Sequence, residues 1–151
     1  MDIVDTQTRS RMMSAIKGKN THPELAVRRY LHALGFRFRL HRKDLPGNPD
    51  LVLPKYNLAI FVHGCFWHRH LDCFYATSPA TRKKFWREKL DGNAARDKQK
   101  QAELLESGWR VMVIWECGLK HQLHDIDTIK EIIIDNNQKN EWPETPPKTR
   151  K

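Results

Sequence analysis

Apolar residues recur along this chain with two periods, and the switches between them mark out its elements. Thr21-His22-Pro23-Glu24 has the spacing of a capping box; Val27, Leu31 and Leu34 follow at helical intervals until Gly35 ends the helix. Glu24 thus has a structural reason to stand where it does, as the residue that bonds back to the cap. Phe36-Arg37-Phe38-Arg39-Leu40 then alternates apolar with basic, the pattern of a half-exposed strand with a cationic outer face. After the turn Leu45-Pro46-Gly47-Asn48-Pro49, the runs Asp50-Leu51-Val52-Leu53 and Leu58-Ala59-Ile60-Phe61-Val62 read as adjacent strands joined near Pro54 to Asn57. Beyond Ser78-Pro79-Ala80-Thr81 a helix carries Phe85, Trp86 and Leu90 among basic residues. A second runs from Asn93 to Ser107, closed by Gly108. Arg110 to Trp115 is a strand, and a last helix covers 125 to 135.

The ends differ in character. Residues 6 to 17 form a short basic helix with Met12, Met13 and Ile16 as its apolar positions. It either packs on the core through its methionines or lies on a nucleic acid as an arm, with Met13 as a wedge. From Asn136 the chain turns polar and proline-rich and reads as a loose tail. The expected division is an arm over 1–20, one domain over 21–136 and a tail over 137–151. The order of helices and strands makes a mixed α/β layer architecture.

Composition narrows the partners. A chain of 151 residues is the size of one domain with a substantial core. No apolar run has the length of a membrane span, and the first residues lack a signal-peptide pattern. Three cysteines, an odd number set among histidines, indicate metal binding in a reducing cytoplasm rather than a disulfide framework. The net charge of +9 points to a polyanionic partner.

The stretch Ile60 to Cys73 carries most of the chemistry. It opens as a buried strand, stops at Gly64, and then presents Cys65, His68, His70 and Cys73 within nine residues. Two thiolates and an imidazole so close together can wrap one tetrahedral zinc ion, with Cys117 as the fourth ligand from the end of another strand. His70 and His68 both qualify as the imidazole. A site filled by four protein ligands is structural and leaves no position for a reacting water. Phe66 and Trp67 stand side by side on this constrained loop, so at least one is expected to face outward, where it could stack on bases together with Trp86. Asp50, at a loop-to-strand junction, suits a magnesium ion held against a phosphodiester. His63, His68 and Asp97 complete the candidates, since an imidazole oriented by an aspartate makes a general base for water.

The run Phe61-Val62-His63-Gly64-Cys65-Phe66-Trp67-His68, preceded by Leu45-Pro46-Gly47-Asn48-Pro49-Asp50, resembles the very short patch repair endonucleases. Pro79-Ala80-Thr81-Arg82, Phe85-Trp86, Asn93, Arg96-Asp97, Gly108-Trp109-Arg110-Val111 and Val113-Ile114-Trp115-Glu116-Cys117 extend the match over roughly residues 6 to 120. The resemblance implies a restriction-endonuclease-like three-layer core, with a central mixed β-sheet flanked by helices and a structural zinc site. It implies an enzyme that nicks duplex DNA 5′ to the thymine of a T:G mismatch left by deamination of 5-methylcytosine, using magnesium.

Carried over by residue, Asp50 and the main-chain oxygen of Val62 would hold magnesium, and His68 would activate water. Asp97 would orient His68, His63 would lie near the scissile phosphate, and Glu24 would contact the waters around the metal. Phe66, Trp67 and Trp86 would insert at the mismatch from the major groove and Met13 from the minor groove, with Asn93 on the same DNA-binding face. Zinc would fall to Cys65, His70, Cys73 and Cys117. The expected protein is a cytoplasmic monomer whose product passes to downstream repair proteins. A broader mismatch-, structure-specific or restriction-like nuclease on the same scaffold, or a zinc-stabilised DNA-binding module without catalysis, are the other readings.

Overall fold

The computed structural model describes residues 21–135 and 137–146. The predicted basic helix over 6 to 17, with Met13, lies outside the described residues. The sheet has five strands laid side by side in chain order: β1 (Arg39–Leu40), β2 (Leu51–Leu53), β3 (Leu58–His63), β4 (Arg110–Trp115) and β5 (Lys139–Trp142). The first three run antiparallel in succession, while β3, β4 and β5 are mutually parallel. Parallel neighbours need a crossover that returns the chain to the starting edge. Helix α2 (Lys83–Glu106) provides it between β3 and β4; α3 (Glu116–His121) and α4 (Asp127–Ile134) provide it between β4 and β5. Helix α1 (His22–Ala33) precedes the sheet. Among the described residues no helix is long and apolar enough to cross a membrane.

The two-residue period of the strands sorts the core into two layers. Leu58 and Ile60 of β3 and Met112 and Ile114 of β4 pack with Val27 and Leu31 of α1, Ile129 and Ile133 of α4, and Trp142. Ala59, Phe61, Val111, Val113 and Trp115 point the other way, onto Leu104 of α2 and the three cysteines. Helices thus cover both faces of a central mixed sheet, the predicted α/β layering. Each large aliphatic side chain withdrawn from water contributes roughly 1.5–3 kcal/mol. Gly47 lets the turn before Asp50 settle onto α2 and β3: a Cβ there would lie 3.0 Å from Lys100 Cβ and 3.2 Å from the Phe61 ring.

Four sequence expectations need correction. The two predicted helices after residue 81 are one continuous α2, with Gly92 inside it. A single interior glycine costs only about 1 kcal/mol against alanine, too little to divide a helix that buries Leu90 on one side of it and packs Leu104 on the sheet on the other. The predicted strand 36–40 pairs only at Arg39–Leu40. Helix α3 was not foreseen. Finally, the supposed loose tail contains β5, which pairs with β4 and buries Trp142 to 1% exposure. Burial of one indole outweighs the polar character of its neighbours.

Candidate active site and metal cluster

Asp50 sits where the packed turn feeds β2. Its Oδ2 accepts the main-chain N–H of Val62 on the adjacent strand at 2.7 Å. Burial pushes its carboxyl up to about 7; the nearby Glu24 adds to this, while the Val62 N–H and His68 pull it down. Glu24 lies in the first turn of α1 and is 1% exposed. Thr21 caps the helix as expected, its hydroxyl accepting the Glu24 N–H at 3.3 Å. The Glu24 carboxylate does not complete a reciprocal capping box. It turns inward, where Oε2 accepts from Arg28 and from His41 Nε2, the latter at 2.8 Å. Burial wins over the cap because this carboxylate finds two donors inside, Arg28 from its own helix and His41 from the segment after β1.

His41 was missed from the sequence. Seventeen residues separate it from Glu24, and no spacing rule links a residue just past a two-residue strand to a helix carboxylate. Donor atoms of Glu24, His41 and Asp50 all lie within 4.8 Å of one another. Two facing carboxylates, Glu24 buried and Asp50 half-buried and already pushed toward its neutral form, are a place where a hard divalent cation would relieve the charge. These residues therefore fit magnesium by the chemistry of their donors.

The histidine half of the site follows directly. His63 ends β3, and the chain turns at Gly64 so that the His68 N–H bonds the Gly64 carbonyl at 3.1 Å. The two imidazoles stack with centroids 3.8 Å apart and planes within 5°. His68 Nδ1 lies 2.6 Å from Asp97 Oδ2, supplied from the middle of α2. His63 is buried, and burial first, then the neighbouring His68 and His70, pushes its imidazole well below the ordinary range, so it remains neutral. Its Nδ1 is buried with no hydrogen-bond partner.

The cysteines converge. Donor atoms of Cys65, His70, Cys73 and Cys117 all lie within 4.8 Å of one another, and all four residues are buried. His70 Nδ1 is 3.6 Å from Cys65 Sγ and 3.5 Å from Cys117 Sγ. His68, turned to Asp97, is not part of this group, which decides between the two imidazoles left open by spacing. The Cys117 thiol donating to Cys65 holds the latter down to about 4, and the same contact pushes Cys117 up. Three sulfurs and one imidazole nitrogen are the donor set of a structural zinc site.

Phe66, Trp67 and Trp86 are each half-buried and form a triangle of rings, with centroids 5.1 to 5.9 Å apart. Neither loop aromatic is fully exposed, since each shelters the other. Asn93 of α2 donates to the Trp67 carbonyl at 3.2 Å, tying loop to helix. Two clefts flank these groups. One of about 700 Å³ lies beside Trp86, lined by Arg69, Lys83 and Arg87; another of about 560 Å³ lies beside Asp97, lined by Lys43, Asn48, Arg96 and Lys100. Both are suited to a polyanionic backbone.

Residues 1–74 match the family described as DNA mismatch endonuclease Vsr. The chain is 50% identical over 118 residues to the type II nicking enzyme V.XorIIP of Xanthomonas oryzae, covering 78% of this chain and 86% of that protein. To DNA mismatch endonuclease Vsr of Escherichia coli it is 44% identical over 119 residues, 79% of this chain and 76% of the other. To the type II nicking enzyme V.NmeAIP of Neisseria meningitidis it is 43% identical over 121 residues, 80% and 86%. With a mixed α/β core, an Asp-oriented histidine beside a carboxylate pair and relatives of this extent, the chain belongs to the Vsr family of DNA mismatch endonucleases.

Proposed function

We propose that this protein nicks one strand of duplex DNA on the 5′ side of the thymine in a T:G mismatch, by magnesium-dependent hydrolysis of a single phosphodiester. The observation that carries the reading is the 2.6 Å pairing of His68 with Asp97, next to Asp50 and one loop turn from a cluster of half-buried rings. Asp97 holds Nδ1, which leaves Nε2 of His68 to take the proton from water as its oxygen attacks phosphorus. One P–O bond forms and one breaks, and the departing sugar oxygen leaves with a proton from solvent. Neutral His63, stacked on His68, packs against the base and lies close to the scissile phosphate. Asp50 and the Val62 carbonyl would hold the magnesium ion, with Glu24 behind them; its contribution is to offset charge on the phosphoryl oxygens.

Phe66, Trp67 and Trp86 provide the recognition, with Met13 approaching from the other groove and Asn93 bracing the loop. A wobble pair is unstacked at lower cost than a matched pair, so inserted rings select the mismatch through deformability. Unstacking costs a few kcal/mol per step and stacking on an aromatic ring returns about 1–3 kcal/mol. The protein acts on chromosomal DNA in the cytoplasm as a monomer, because one strand at an asymmetric lesion requires one active site. Downstream repair proteins take over the nick. Cys65, His70, Cys73 and Cys117 hold a structural zinc ion.

The deciding assay is cleavage of end-labelled duplexes bearing each possible mismatch, with and without magnesium. The expected result is one nick, in the thymine strand of T:G alone, that disappears without the metal. Equal cleavage of matched duplex, or breaks in both strands, would overturn the reading.

A further inference from the structure

We infer that His41 is a positioning residue of the cation site: by donating from Nε2 to Glu24 it holds that carboxylate toward Asp50 and so sets the affinity for the divalent ion. The inference rests on the magnesium site proposed above.

Glu24 is almost wholly buried and its charge therefore needs partners. Arg28 is one, but it lies one turn along the same helix and moves with it. Asp50 also faces Glu24 but is itself a carboxyl, whereas His41 is a cationic or neutral donor from outside α1, reaching across from the segment between β1 and β2. The same residue is anchored to the second carboxylate's own backbone, since its main-chain N–H donates to the Asp50 carbonyl at 3.1 Å. A left-handed backbone at His41, with φ of 48°, allows both bonds at once, and histidine is among the few non-glycine residues that adopt it readily. One residue thus touches Glu24 with its side chain and Asp50 with its main chain, fixing the helix carboxylate relative to the strand carboxylate.

The alternative is that His41 is itself a ligand. The arrangement argues against it: an Arg28 guanidinium nitrogen lies 3.2 Å from His41 Nε2. A divalent cation on that nitrogen would meet a guanidinium at contact distance. Residues in this outer position around a metal alter affinity by roughly 10–100-fold when removed.

The test uses the full-length, zinc-loaded protein and manganese(II) as a paramagnetic probe that accepts oxygen ligands, with free ion followed by electron paramagnetic resonance. Asp50→Asn defines the signal from this site. His41→Asn keeps a residue tolerant of the left-handed backbone but is too short to reach Glu24; it is expected to weaken manganese binding about tenfold or more. His41→Gln restores a donor near the Nε2 position and is expected to stay within about threefold of wild type, a rescue that a merely structural role would not produce. Wild-type affinity in His41→Asn, or a Gln variant as weak as Asn, overturns the inference.

A measurement on the unaltered protein covers the case of a variant that fails to fold. In long-range ¹H–¹⁵N spectra at pH 8, His41 Nε2 must carry the proton, and an unprotonated Nε2 overturns the inference as well. Because the readout is binding, the two claims separate. Wild type that binds manganese through Asp50 yet leaves T:G duplex intact defeats the proposed substrate and spares the role of His41.

Discussion

Replacing Asp50 by asparagine should stabilise the protein when magnesium is absent, by a margin that grows as pH rises from acid to alkaline. The Asp50 carboxyl rises from 3.8 to about 7, chiefly through burial and then through the Glu24 carboxylate. A displacement of roughly three pH units corresponds to about 4 kcal/mol disfavouring the charged form in the folded state. Glu24 shares that cost, so about 2 kcal/mol is a fair portion for removing the Asp50 charge alone. The direction follows from linkage. A group whose folded value is raised contributes stability fully present below 3.8, declining as pH rises from there and lost above about 7. Asparagine keeps an acceptor for the Val62 N–H now bonded at 2.7 Å, so the exchange removes charge with little change in shape. For a chain of this size about 2 kcal/mol is roughly 4–8 °C in melting temperature. Thermal melts in magnesium-free buffer should show Asp50→Asn above wild type by that margin at pH 8, with a clearly smaller gap at pH 5 that closes only as pH falls to 3.8. Magnesium should raise only the wild type at pH 8. A gap of the same size at both pH values, or a wild type more stable at pH 8, would refute the reasoning.

Other outcomes test the remaining parts of the site. His68→Ala should slow nicking of a T:G duplex by roughly 10²–10⁴-fold while leaving duplex affinity nearly unchanged in a fluorescence anisotropy titration; a parallel loss of binding would assign His68 to recognition instead. Elemental analysis should find about one zinc per chain, and Cys73→Ala should lose it and melt lower. A metal-free protein with wild-type melting behaviour would remove the structural ion from the account. Trp67→Ala should reduce the preference for mismatched over matched duplex more than it reduces binding to matched DNA, read from competition titrations. Gly118→Ala should cost about 1–3 kcal/mol by urea denaturation, because its Cβ would lie 2.5 Å from Trp142 Cζ3 and 2.8 Å from Pro143 Cδ. An unchanged midpoint would mean that β5 yields more easily than its burial implies.

Most of the candidate chemistry was legible because it is written in short, local patterns. Cys65, His70 and Cys73 lie within one loop, and Asp50 and His63 fall at strand ends where alternation stops. What escaped was long-range and carried by single side chains. His41 reaches Glu24 only because β1 folds back antiparallel on β2, and the alternation that ends at Leu40 says nothing of what the next side chain meets. The segment Lys139–Trp142 reads as polar because alternate positions face solvent, and a single tryptophan carries its burial. Gly92 lies between the two expected helices, yet it sits inside one helix that buries residues on both sides of it, Leu90 before and Leu104 after. The capping box was half right, since Thr21 obeys the local rule while Glu24 obeys the tertiary one.

The cysteine cluster and the histidine site are joined by a continuous path of rings, which bears on why a cluster suited to a structural metal lies beside the histidine pair. His70 lies flat on Trp115 at 4.1 Å, Trp115 presents an edge to His63 at 5.2 Å, and His63 lies flat on His68 at 3.8 Å. Trp115 is held by its indole N–H donating to Glu141 at 2.7 Å, a residue of the strand mistaken for tail. The loop from Gly64 to Cys73 has no regular secondary structure, and in it Phe66, Trp67, His68 and Arg69 are only half-buried while Leu71 and Asp72 are exposed. Apolar burial therefore does little to order it. Fixing the backbone of such a ten-residue loop costs on the order of 10–20 kcal/mol. A four-ligand zinc site in a small peptide returns roughly 10–16 kcal/mol, the same order. The donors at Cys65, His70 and Cys73 bracket the rings and His68, while Cys117 ties them to the end of β4. On the proposed function this loop would carry both a base held to Asp97 and rings that enter a duplex, a rigidity its own surface cannot supply, and a metal held by the cluster would supply it where the two tasks meet.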